Sequence, residues 1–272
     1  MNEDFKLNVW SQHETARPRK RLVLLGASNL TRAFPTVISL ARSLYGRPLS
    51  IFAAHGLGRS YGLESGNLGK KIPGIFFSGL WPALRREKPA PTAAWITDIG
   101  NDLAYEASVE SILQWVAGCV ERLQEIDAKI VITDLSLATL RGVSERKFRL
   151  FRALLFPRCR LDRDELLTRA AALSDGLHTQ GKTHNTPIFP AQTEWYGVDP
   201  IHPSRIHLVA MWNQLLSARE ELLSETSPSS KSWLLRWYLR MLQPESWSHF
   251  SIPRRASQPN GRFWDGSTVA LY

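Results

Sequence analysis

The chain has 272 residues, 43% of them hydrophobic and 22% charged, with a formal net charge of +9. That length suits one large domain with room for a core, and the proportions are those of an ordinary globular protein. Two cysteines, Cys119 and Cys159, are too few for a disulfide framework and lie in no metal-type or redox pair, so they read as buried structural thiols.

The opening stretch, MNEDFKLNVWSQHETARPRKR, is polar and mixed in charge, unlike a secretory signal. The apolar run after it is too short to span a bilayer. The expectation is a cytoplasmic chain with an N-terminal extension over 1–20. From there, short apolar runs alternate with amphipathic stretches. RLVLLGAS (21–28), LSIFAAHG (49–56), TAAWITDIG (92–100) and AKIVITDLS (128–136) predict parallel strands buried on both faces, and TPIFPA (186–191) a weaker fifth. Helices are predicted over 30–45, 108–126, about 161–178 and 204–221. Strands alternating with helices mean an α/β fold with a parallel sheet covered on both faces, and they place chemistry at the strand carboxyl ends.

A Ser-rich break at 224–232 sets the domain boundary at 223. The segment 224–272 then reads as a linker, a short apolar helix (WLLRWYLRML, 233–242) and a tail containing Arg, Pro, Ser and Trp. That helix either binds an interface or packs on the domain with Trp233 and Trp237 in the core, and the packing reading is preferred.

The strand ends carry the candidate chemistry. Ser28 follows the first strand in GASNL, where a helix N-terminus would favour a developing negative charge. The same position is also common for a capping serine. HGLGRSYG follows the second strand, with glycines at 56, 58 and 62 that let the backbone approach a ligand. DIGNDLAY follows the third and offers the Asn101 amide, which an Asx-turn would equally use. Asp134, at the end of the fourth, reads as structural. VDPIHPS follows the fifth. There Asp199 stands three residues before His202, a spacing that lets a carboxylate orient an imidazole, the usual general base near neutral pH.

Ser28, Gly58, Asn101 and His202, at four strand ends in this order, resemble the SGNH family, also called GDSL-type esterases and acylhydrolases. The resemblance covers roughly 20–220 and is strongest in GxND (Gly100–Asp102) and DxxH (Asp199–His202). It implies a three-layer α/β/α sandwich on a flavodoxin-like, five-stranded parallel sheet. It also implies Ser28 as nucleophile, His202 as base and Asp199 as its partner. The oxyanion donors would be the Ser28 and Gly58 amides and the Asn101 side chain. One departure stands out: the first block reads GASN where the family usually has GDS, so Ala27 replaces an aspartate.

The resemblance implies no cofactor and no metal; His178 and His184, in a stretch read as a polar loop, lack carboxylate or thiolate company. The expected partner is a small-molecule or glycan ester. Acyl transfer from the same site is the near alternative. A non-catalytic basic module binding an anionic partner is the distant one, motivated by RGVSERKFRLFRALLFPRCR (141–160), where Arg/Lys and Phe interleave within a stretch, 141–169, that holds nine Arg/Lys against four acids. The bland reading of that basic segment is a helix with a solvated face at the rim of the site, favouring acidic esters. Nucleic acid is not an expected partner, nor is a membrane except through the 233–242 helix.

Overall fold

The structure is a computed structural model that describes residues 20–66, 69–197, 199, 201–218 and 233–272. The N-terminal extension up to residue 19 and the Ser-rich linker lie outside the described residues.

Strand β1 (Lys20–Leu25) leads into helix α1 (Ser28–Leu44) and strand β2 (Leu49–Ala54). A two-residue strand, β3 (Lys70–Lys71), and a short helix, α2 (Leu80–Arg86), precede β4 (Thr92–Ile96). Next come α3 (Val109–Gln124), β5 (Lys129–Thr133), α4 (Leu137–Arg141), α5 (Glu145–Leu155), α6 (Arg163–Thr183), β6 (Ile188–Phe189) and α7 (Leu208–Ser217). The C-terminal part contributes α8 (Trp233–Met241), β7 (Ser246–His249), β8 (Ile252–Arg255), β9 (Gly261–Arg262) and β10 (Thr268–Leu271).

The main sheet runs β6-β5-β4-β1-β2-β10-β9, with β9 antiparallel and the other pairings parallel. Its first five strands follow the flavodoxin-like order, in which ligands bind where the chain switches direction beside β1. That point lies between β1 and β4. The continuous apolar run of β1 has a direct cause: Leu22 and Leu24 enter one core with α1 and α7, while Val23 and Leu25 enter the other with α3 and α6. Both faces are covered, giving the α/β/α layering.

Four expectations need correcting. The sheet has seven strands rather than five, because β10 adds in parallel beside β2 with Val269 opposite Ile51. Val269 is fully buried and Ala270 and Leu271 nearly so, hence the C-terminal part completes the sheet instead of trailing from a boundary at 223. Helix α8 does pack on the domain, through Leu235, Tyr238 and Leu239, but Trp233 and Trp237 point outward, 73% and 62% exposed. His178 lies within α6 and His184 caps its end, so neither is in a loop. Among the described residues, no helix is long and apolar enough to cross a membrane.

Candidate active site

Ser28 is the first residue of α1, with Ala27 at the cap and no side-chain cap on that end. The seryl hydroxyl therefore does not serve as an N-cap. It meets His202 instead: Oγ lies 3.0 Å from Nε2 of the imidazole. On the other side of the ring, Nδ1 lies 2.7 Å from Oδ2 of Asp199. The loop builds this pair locally. Asp199 Oδ1 accepts the amides of Ile201 (3.0 Å) and His202 (3.1 Å), an Asx-type turn that folds the carboxylate back onto the ring. The loop is then closed by the Tyr196–Pro203 bridge and by the Ser204 amide donating to the Trp195 carbonyl. Burial works to raise the Asp199 carboxyl, but the His202 side chain and the two amides outweigh it and leave the carboxyl below its ordinary range.

Asn29 ties the two halves of the site together by donating Nδ2 to the Ile201 carbonyl at 3.3 Å. It anchors the histidine loop to the turn that bears Ser28.

Asp98, directly after β4, turns in the left-handed conformation (φ 62°) and aims Oδ2 at the start of α1. That one oxygen accepts the amides of Ala27 (2.7 Å), Asn29 (3.1 Å) and Leu30 (3.2 Å). It takes the amides on both sides of Ser28 but not that of Ser28 itself. Burial pushes the Asp98 carboxyl up, opposed by the Ala27 and Leu30 amides, the Asn29 side chain and the nearby His202. A helix N-terminus is a favourable place for this charge. Gly26 makes the approach possible, since a Cβ there would come within 2.2 Å of Thr97 Oγ1. Sequence reading missed Asp98; its signal was an acid immediately after a buried strand, three residues before Asn101.

Asn101 lies in a single 3₁₀ stretch, Ile99–Tyr105, and is 9% exposed. Its Nδ2 has no hydrogen-bond partner among the described residues. Buried polar groups are almost always satisfied, and an orphaned buried donor is available to a ligand. Its neighbour Asp102 is fully buried and joins this block to the loop after β2, accepting the Ser60 hydroxyl and the Tyr61 amide. Burial raises the Asp102 carboxyl to about 6.

Gly58 occupies the turn after β2 at φ +65°, a conformation that side chains other than glycine's disfavour, and its carbonyl accepts from the Tyr105 hydroxyl. A Cβ there would meet that hydroxyl at 2.8 Å. His55, just before the loop, is partly buried against Thr31 and Phe34, and desolvation lowers its pKa to about 3, which keeps it neutral. Asp134 accepts from Ser174 and contacts His178 at 3.0 Å, so His178 does have a carboxylate neighbour, contrary to expectation.

A cavity of about 190 Å³ opens beside these groups, with Asn29, Asp98, Asn101 and Ile201 on its wall. Beyond that mouth the lining is mostly apolar, including Phe148, Phe151, Phe156, Leu167, Trp195 and Trp212.

No protein-family model and no curated protein sequence matches the chain. Solved structures do. Est24, a carbohydrate acetylesterase from Sinorhizobium meliloti, is similar over 74% of this chain and 99% of its own, with 15% identity and a TM-score of 0.52. The native M. smegmatis aryl esterase is similar over 75% of this chain and 100% of its own, with 13% identity and a TM-score of 0.52. The chain shares the α/β/α fold of these two esterases. At these identities, the likeness is one of fold.

Proposed function

We propose that the protein is a serine esterase that cleaves carboxylic esters through an acyl-enzyme. The observation that carries this reading is the unbroken chain of contacts from Ser28 Oγ to His202 Nε2 (3.0 Å) and from His202 Nδ1 to Asp199 Oδ2 (2.7 Å). In the first step Ser28 Oγ attacks the ester carbonyl while its proton passes to His202 Nε2. Asp199 holds the ring in the tautomer that leaves Nε2 free and stabilises the imidazolium. The carbonyl oxygen, now negative, is received by the Ser28 and Gly58 amides and the Asn101 Nδ2. His202 then returns the proton to the departing alkoxide. Water, deprotonated by His202, attacks the acyl carbonyl, and Ser28 leaves with its proton restored.

The apolar cavity beside Asn101 is where the acyl chain goes, its carbonyl at the polar mouth and its methylenes among the phenylalanines. A pocket of that lining gains from burying hydrocarbon and gains little from acetyl. The test is hydrolysis of p-nitrophenyl esters from acetate to decanoate by wild type and by Ser28→Ala, with unfolding curves for both. Activity that lengthens its preference beyond acetate and vanishes in Ser28→Ala supports the reading. Equal rates in the two proteins would refute it.

A further inference from the structure

Helix α5 has no buried residue, and its two faces differ. The inner face, Phe148, Phe151 and Arg152, forms part of the wall of the apolar cavity. The outer face carries Leu150 and Leu154, one turn apart, 65% and 73% exposed. They are flanked by the exposed cations Arg146, Lys147 and Arg149. Arg149 has a loose ion pair with Glu145 at 3.6 Å, the sole acid on the helix. Arg146 and Lys147 have no ion pair or side-chain hydrogen bond among the described residues. Arg158 and Arg160, in the turn that follows, are exposed as well.

We propose that the outer face of α5 docks the protein on an anionic lipid surface, with Leu150 and Leu154 entering the headgroup boundary and the surrounding cations meeting the lipid phosphates. Charge complementarity selects the partner. A nucleic acid would use the cations but offers nothing to two leucines on the same face, whereas an interfacial helix combines an apolar strip with flanking Lys and Arg. Long side chains of this kind spread their stems over the apolar strip and keep their charges at the polar level. Position strengthens the inference, because the same helix lines the cavity. Docked through its outer face, α5 stands between the lipid and a pocket lined for hydrocarbon.

Binding is measured by co-sedimentation of the full chain with phosphatidylcholine vesicles, with and without phosphatidylglycerol, at low and high salt. The expected result is binding that requires phosphatidylglycerol and weakens with salt. Leu150→Ser/Leu154→Ser and Arg146→Glu/Lys147→Glu are each expected to weaken it about tenfold or more. Both double variants should unfold at the wild-type temperature, since the substituted side chains are exposed. A companion variant on α8, Trp233→Ser/Trp237→Ser, should bind like wild type. Three results would overturn the proposal: no preference for phosphatidylglycerol, loss of binding in the α8 variant alone, or equally tight binding of a duplex oligonucleotide that ignores the leucine substitutions. The readout is binding, so it stands or falls independently of esterase activity.

Discussion

Replacing Asn101 by alanine separates stability from catalysis. Its Nδ2 is buried with no partner among the described residues, so the fold pays for that donor without recovering a hydrogen bond. An unsatisfied buried donor costs about 1–3 kcal/mol, and the truncation relieves it while leaving a small void of opposite sign. The two roughly cancel, and the melting midpoint should move by only a few degrees. The proposed oxyanion site, in contrast, loses one of its three donors. Loss of one donor from such a site costs about 3–4 kcal/mol, or a fall in kcat of about a hundredfold to a thousandfold. KM should change little, because the donor acts in the transition state. The assay is steady-state hydrolysis of a p-nitrophenyl ester alongside thermal unfolding. An unchanged kcat in the folded variant would refute the oxyanion role. A collapse in melting temperature would instead make the amide structural.

Other predictions follow from the groups around it. Asp98→Ala strands three helix-terminal amides and should cost about 3–6 kcal/mol in denaturant unfolding, whereas Asp98→Asn keeps an acceptor oxygen and should cost about 1–2 kcal/mol; equal costs would sever Asp98 from the loop. The Asp102 carboxyl is raised to about 6 in the fold. Between its unfolded value near pH 4 and pH 6 the native state binds the extra proton, so stability from this group falls as pH rises, by at most about 3 kcal/mol. Asp102→Asn should flatten that slope in urea unfolding at a series of pH values; a slope identical to wild type would contradict the burial argument. Asp199 acts in the opposite direction: its lowered carboxyl stabilises the fold above the ordinary carboxylate range and loses that contribution as pH falls through its folded pKa. Gly58→Ala forces a side chain into φ +65° and against the Tyr105 hydroxyl, and should lower kcat in a protein destabilised by about 1–2 kcal/mol; wild-type kcat would remove Gly58 from the site.

The sequence made the central strands legible because β1, β2, β4 and β5 are buried on both faces and therefore read as unbroken apolar runs. The contacts among Ser28, His202 and Asp199 could be anticipated for a different reason: their loops follow the carboxyl ends of parallel strands. What escaped was non-local or two-faced. Asp98 acts on amides some seventy residues away, and no periodicity announces such a contact. Strand β10 hides behind a tail of polar and aromatic residues, although the Asp265-Gly266 turn before Thr268–Leu271 was a usable signal. The outward tryptophans of α8 defeated the expectation that large aromatics go inside, because Leu235, Tyr238 and Leu239 already fill the face toward α1.

The most direct test of the central claim is covalent labelling with a fluorophosphonate, followed by mass spectrometry of the tryptic peptides. Ser28 is the sole serine in the peptide LVLLGASNLTR, residues 22–32. One phosphonyl adduct is expected on that serine, formed at a rate that drops sharply in His202→Ala. An adduct on another residue, or labelling of Ser28 that proceeds unchanged without His202, would contradict the claim.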